Sequence, residues 1–242
     1  MKAPLPGPLR RALRRGRELV GDHPAFLPLV LALTPEGFAR AIGPRTQLVV
    51  EGYPRSGNTY AATAIAMAQP GGLVVATHVH VPAQVKRAVA RGLPTLFVVR
   101  HPIDAVASTI VAAPHIRPAA ALREYDHHHQ EVLPLADRLV VATFEQVTTD
   151  LGGVVARLNQ RFAIALVPFD HTDASEAAVQ GEIERHYDVV HGRTGERAVP
   201  RPSEARRDET ARVRAVLTAP ALAELLSRAE RTYQSMVALS TR

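Results

Sequence analysis

Leu48-Val49-Val50-Glu51-Gly52-Tyr53-Pro54-Arg55-Ser56-Gly57-Asn58-Thr59-Tyr60, running into the alanine-rich residues 61–68, is the stretch that decides the fold. The apolar run 48–50 predicts a strand, the Gly/Pro/Ser/Asn cluster a tight turn, and the alanines a helix. A helix that begins just past a strand points several unpaired N–H groups, and the positive end of its dipole, at one spot. Such a spot binds an anion, typically a phosphate. The spacing nearly satisfies the phosphate-cradling pattern GxxxxGK[ST]: Gly52, Gly57 and Thr59 are in place, and Asn58 stands where the lysine belongs. The cation has moved to Arg55, inside the turn. Loss of that lysine weighs against an ordinary ATPase or nucleotide kinase.

A second segment, 93–108, reads LPTLFVVRHPIDAVAS. Residues 95–99 predict a buried strand, Arg100 closes it, and Pro102 opens another helix. Arg100 and Ser108 stand eight residues apart, one at the strand's carboxyl edge and one about a turn into the helix. Ligands of open parallel sheets bind at the carboxyl ends of strands, so both segments should face one crevice. Here the chain resembles the sulfotransferases that use 3'-phosphoadenosine 5'-phosphosulfate (PAPS). Tyr53-Pro54-Arg55-Ser56-Gly57-Asn58-Thr59-Tyr60 is similar to their 5'-phosphosulfate loop, usually YPKSGTTW. Arg100-His101-Pro102-Ile103-Asp104-Ala105-Val106-Ala107-Ser108 is similar to their 3'-phosphate motif, an arginine followed eight residues later by serine.

The resemblance covers about residues 46–196 and implies a fold and a set of roles. The fold is α/β: a three-layer sandwich with a mostly parallel central sheet, P-loop NTPase-like, flanked by helices. Arg55, Ser56, Gly57, Asn58, Thr59 and Tyr60 would hold the 5'-phosphosulfate, and Arg100 and Ser108 the 3'-phosphate. The family's catalytic histidine, commonly within KTHLP, falls in Ala76-Thr77-His78-Val79-His80-Val81-Pro82. His80 matches the H-x-P portion and His78 the T-H portion, and one chain cannot satisfy both. We take His80 as the general base, because the proline marks where the next helix begins, and keep His78 as the alternative. An imidazole that is neutral and basic near pH 7 suits the role. Phe144-Glu145-Gln146 replaces a YED-type turn, so a hydroxyl contact to the nucleotide is lost while a stacking role for Phe144 survives. Arg193, Thr194 and Gly195 resemble the late RKG-type loop, with Thr194 departing from the lysine.

The residues also support this reading without the family. Sulfuryl transfer needs a base for the acceptor hydroxyl and positive charge on the leaving phosphate. The strand 95–99 ends in Arg100, with no acidic residue of the kind that holds magnesium in phosphoryl transfer, so arginines and backbone amides are expected to suffice without a metal. Two other readings stay open: a divergent P-loop nucleotide kinase, and a non-catalytic nucleotide or sulfate-ester binder. The acceptor, a small molecule, carbohydrate or lipid offering a hydroxyl or amine, has no signature of its own.

Bulk composition sets the bounds. At 242 residues and 46% hydrophobic content the chain suits a single domain with a large core, with nothing that marks an internal boundary. Cysteine is absent, which removes disulfides, thiolate zinc sites and cysteine nucleophiles. Net charge is +6, nearly all the positive residues being arginine, since lysine occurs only as Lys2 and Lys86. With aromatics at 5% and no tryptophan there is no nucleic-acid-binding pattern. The N-terminus lacks the apolar core of a signal peptide, and the longest apolar stretch, 25–33, is broken by Pro28. A cytoplasmic location is therefore expected, with at most peripheral membrane contact through the arginines of Arg10–Arg17, which otherwise read as a solvated helix face.

Residues 1–44 read as an Arg/Pro-rich leader with one or two helices, and 197–242 as C-terminal helices. Strands are expected at 48–50, 73–76, 95–99 and 139–142, with helices at 57–68, 83–90, 103–113, 119–132 and 151–162. Asp150 would cap the last of these. The closing helix places Leu222, Leu225, Leu226, Ala229, Tyr233 and Met236 on one face, a core stripe. His127-His128-His129 project in three directions and cannot share one metal ion. They read as a solvated face; the resemblance, in which this helix often borders the acceptor pocket, leaves acceptor contact open to one of them.

Overall fold

The computed structural model describes Gly16 and residues 20–32, 37–191 and 204–241. Arg10–Arg17 (apart from Gly16) and Arg193–Gly195 therefore lie outside the described residues. Four parallel strands form the sheet: β1 (Leu48–Gly52), β2 (Val75–Thr77), β3 (Thr95–Val99) and β4 (Val140–Thr143), in the spatial order β2-β1-β3-β4. Leu48 pairs with Val75, Gly52 with Val98, and Val99 with Thr143. β1 and β3 are buried along their whole length. That is why they read as continuous Val/Leu runs and not as an alternating pattern.

Each crossover carries helices, as parallel strands require. In chain order these are α1 (Leu27–Ala32) and α2 (Gly37–Arg40) ahead of the sheet, then α3 (Asn58–Met67), α4 (Pro82–Ala90), α5 (Pro102–Ala112) and α6 (Pro118–Val132). After β4 come α7 (Phe144–Thr149), α8 (Leu151–Phe162), α9 (Asp173–His191), α10 (Glu204–Leu217) and α11 (Ala223–Val237). Proline at the first position of α4, α5 and α6 sets their starts, because a missing N–H costs nothing there.

The strands divide their side chains between two layers. Leu96, Val98, Leu48 and Val50 pack with α3, α8 and α9 on one face. Phe97, Val99 and Val141 pack with α4, α5, α6 and α11 on the other. This is the period-two alternation of a strand, made visible by burial on both sides. The expected three-layer α/β sandwich is the observed one. The chain steps from β1 outward to β2 and then returns across to β3, so the connections diverge between β1 and β3. The crevice outside the carboxyl ends of those two strands is where such sheets bind ligands.

Two local expectations need correction. Phe144-Glu145-Gln146, expected as a turn, is the first turn of α7. Thr143 at the end of β4 accepts from the Gln146 N–H, and Gln146 reaches back to the Thr143 N–H, a reciprocal cap that starts a helix at once. α9 had no counterpart in the reading of the sequence, yet Val179 and Ile183 bury it against the sheet's second layer. Asp150 does cap α8, accepting from the Gly153 N–H. Among the described residues no helix is long and apolar enough to cross a membrane.

Candidate active site

The loop between β1 and α3 is built by two residues with left-handed backbone, Arg55 (φ 68°) and Gly57 (φ 98°), on either side of Ser56. The turn is closed by the Ser56 N–H, which donates to Tyr53 O at 3.3 Å. Gly52 is required by proximity: a Cβ there would stand 2.2 Å from the Val98 carbonyl oxygen and 2.9 Å from Asn58 Oδ1. Asn58, in the place of the P-loop lysine, turns its amide inward and donates to Tyr53 O (3.2 Å) and Gly52 O (3.4 Å). Its side chain staples the loop and brings no charge to it. Ser56 is fully buried, and its Oγ has no hydrogen-bond partner within the protein. A buried hydroxyl left unpaired beside the N-terminus of α3 fits an oxyanion.

The two distant motifs meet. Arg55 Nε donates to Ser108 Oγ at 3.0 Å, and Arg100 Nη1 donates to the Arg55 carbonyl at 2.9 Å. Tyr125 OH in turn donates to the Arg100 carbonyl at 2.6 Å, which fixes the end of β3. The Arg100 guanidinium lies 4.1 Å over the ring of Phe144. The same ring covers the loop, since a Cβ on Gly57 would come within 3.0 Å of it. Burial lowers the Arg100 pKa from its ordinary value, with Asp104 and Glu145 opposing that shift. A guanidinium drawn from water in this way gains most from an anionic partner.

The histidine loop leaves β2 with an unexpected backbone. His78 (φ 64°) and His80 (φ 53°) are both left-handed. The segment therefore departs from extended backbone, although the two rings still meet edge to face at 5.5 Å. His78 Nε2 shares a 2.7 Å hydrogen bond with Thr59 Oγ1. Its pKa is pushed down to about 3, first by burial and then by the positive neighbours His80, Arg40 and His186. His80 Nδ1 lies 2.9 Å from the Gly52 carbonyl oxygen. A carbonyl only accepts, so the neutral ring carries its proton on Nδ1 and keeps Nε2 as its basic nitrogen. Behind it stands Glu51, fully buried in β1, which accepts from the N–H groups of Val79 and His80. Reading the sequence for motifs missed Glu51. The available signal was a carboxylate inside an otherwise apolar central strand, where charge is rarely tolerated without partners.

Tyr60 turns its hydroxyl toward α9. Its hydroxyl donates to Glu176 of α9, which is also the partner of His171 Nδ1 at 2.7 Å, while His171 Nε2 accepts from the Leu151 N–H at 2.8 Å. Burial and then Glu176 push the Tyr60 pKa above its ordinary range. Tyr60 thus ties α3 to α9.

The histidine triplet does not form a solvated face. His128 and His129 are buried with Phe97, Tyr53 and Tyr125, His129 stacking on Tyr125 at 4.1 Å. Burial pushes the His129 pKa down to about 4. The amphipathic stripe of α6 simply includes two imidazoles. His127 lies at the surface, 2.7 Å from Asp22. Glu131 completes a group whose ligand atoms could converge on a cation, and Lys86 already supplies one: its Nζ is 2.5 Å from Glu131 and 2.9 Å from the Asp22 carbonyl.

No protein-family model matches the sequence, and no curated protein matches it. Among solved structures, the chain is similar to mouse sulfotransferase SULT7A1 complexed with PAP. The two are 14% identical with a TM-score of 0.39, over 63% of this chain and 68% of that one. What the site does must rest on this chain's own residues.

Proposed function

We propose that the chain is a sulfuryl transferase that takes PAPS as donor and sulfates a hydroxyl or amine of a small molecule, sugar or lipid in the cytoplasm. The observation that carries the reading is the closure of the β1–α3 loop onto the β3–α5 segment through Arg55, Ser108 and Arg100. Two anion-binding elements about 45 residues apart in sequence thereby share the crevice between β1 and β3. The residues fit a bisphosphorylated nucleotide: an unpaired buried hydroxyl at Ser56, the amide end of α3, and two guanidiniums.

When bound, the donor supplies an electrophilic sulfuryl group on a phosphate leaving group. Arg55, Ser56 and the backbone of Gly57 to Thr59 would hold that phosphate, and Arg100 and Ser108 the 3'-phosphate. Phe144 would stack on the nucleotide. His80 Nε2 takes the acceptor's proton while the acceptor oxygen or nitrogen bonds to sulfur and the phosphate oxygen leaves with its electron pair. Arg55 stabilises the charge that grows on that oxygen. His78, held neutral and bonded to Thr59, orients the cradle's helix and is the weaker candidate for the base.

Transfer of radiolabelled sulfate from PAPS across a panel of phenols, sugars, lipids and amines tests the proposal. Calorimetric binding of 3'-phosphoadenosine 5'-phosphate should accompany it. Absence of transfer to every acceptor, together with tighter binding of magnesium-ATP and phosphoryl transfer from it, overturns the proposal in favour of a kinase. Tight nucleotide binding with no transfer of either group marks a binder.

A further inference from the structure

We infer that Glu51 is a positioning residue for His80, the two forming a buried carboxylate–imidazole pair that presents Nε2 as the proton acceptor. The pair rests on the sulfuryl-transfer reading only for the identity of the substrate that Nε2 serves.

Glu51 sits in one of the two interior strands, with no exposure at all. A carboxylate in such a place is expensive unless donors surround it. Donors do: the Val79 N–H at 2.9 Å and Gln84 Nε2 at 3.1 Å to Oε1, and the His80 N–H at 3.1 Å to Oε2. Gln84 is itself fully buried and held by the Ile42 N–H at 3.3 Å, so the cage reaches back to the segment before β1. Every one of these contacts makes Glu51 an acceptor, the role of an ionised carboxylate.

Two of the donors are successive amides of the loop in which residues 78 and 80 both adopt left-handed backbone. Non-glycine residues occupy that region only where their surroundings over-determine it. Glu51 is what determines it, by gripping the amides of 79 and 80 at once. The grip places the His80 ring so that Nδ1 donates to Gly52 O at 2.9 Å, with Glu51 Oε2 at 3.6 Å from the same nitrogen. The carboxylate therefore acts on His80 in two ways. It holds the backbone that aims the ring, and its charge favours the imidazolium formed when Nε2 takes a proton. Of the groups facing the ring, Glu51 comes from β1 and His78 from the loop, Arg40 and His186 bearing on His78 in turn.

Ring-nitrogen NMR on the uniformly labelled full chain tests the pair, with the His80 signals assigned through His80→Gln. The expected wild-type spectrum has the proton on Nδ1 and none on Nε2 at neutral pH. In Glu51→Gln the His80 titration should move down by about 1–3 pH units, as loss of an adjacent opposite charge requires. The Val79 and His80 amides should lose protection from hydrogen exchange, and turnover with PAPS should fall about 100-fold, with nucleotide binding retained. A wild-type ring protonated on Nε2 overturns the inference, as does an unchanged His80 titration in folded Glu51→Gln. Should Glu51→Gln fail to fold, Glu51→Asp, whose shorter side chain cannot keep both amides, takes its place, and unchanged hydrogen exchange at the Val79 and His80 amides overturns the inference. A wild-type protein that shows the expected ring spectrum but transfers no sulfuryl group refutes the proposed reaction and leaves the pair standing.

Discussion

Arg55 carries the charge that a lysine would supply in a P-loop, and the fold asks two things of it. Its backbone takes the left-handed conformation that turns the loop, and its guanidinium reaches Ser108 across the crevice. Removing one well-placed donor from a site that stabilises growing negative charge costs roughly 3–4 kcal/mol. Arg55→Ala should therefore lower turnover by about two to three orders of magnitude, and Arg55→Lys should keep appreciable activity. Wild-type turnover in the alanine variant would remove Arg55 from the reaction. Arg100 has a different task. It is half-buried, stacked on Phe144 and bonded to the Arg55 carbonyl, so its charge should select the 3'-phosphate. Arg100→Ala should weaken binding of 3'-phosphoadenosine 5'-phosphate far more than binding of adenosine 5'-phosphate. Equal losses for both nucleotides, measured by calorimetry, would mean that Arg100 only braces the loop.

At the scale of elements, the site depends on how closely β1 and β3 approach at their carboxyl ends. Gly52 permits that approach, because any side chain there would strike the Val98 carbonyl. That neighbour is backbone within a buried strand and has little room to give. Gly52→Ala should lower stability by about 1–3 kcal/mol, the usual cost of overpacking. For a chain of this size that corresponds to a melting temperature several degrees lower, at about 2–4 °C per kcal/mol. Gly71→Ala is the control: nothing lies within 4 Å of the added carbon, and its melting temperature should stay near wild type. Equal melting temperatures for the two variants would show that the strands can spread without cost.

For the whole molecule, one half-buried and one buried histidine, His78 and His129, set a limit on acid tolerance. His78 and His129 have folded-state pKa values of about 3 and about 4, against 6.5 for an ordinary histidine. Between those values the unfolded chain binds protons that the folded chain refuses. Stability from this source is complete above about pH 6.5 and drains as pH falls towards 4 and then 3. Denaturant midpoints should thus drop between pH 7 and 4.5, and drop less in His129→Leu, which removes one of the two groups. A wild-type midpoint that stays flat across that range would contradict the assignment of His129 to the core.

The cradle was legible in the sequence because its chemistry is local. Apolar 48–50, the glycines at 52 and 57 and the alanines behind them are strand, turn and helix within one span, and the register of Arg100 to Ser108 repeats the trick. The sequence by itself thus determined the α/β class and the four apolar runs that become strands, two of them starting one or two residues later than expected, because these follow from periodicity and turn chemistry over short separations. Tertiary structure decided the rest. Burial of His128 and His129 depends on what packs against α6, and the bond from Tyr60 to Glu176 joins residues 116 apart. The orientation of His80 depends on a carboxylate placed 29 residues earlier, which meets the loop only when β2 lies beside β1. No local pattern encodes such pairs, since hydrogen bonding and desolvation act through space and not along the chain.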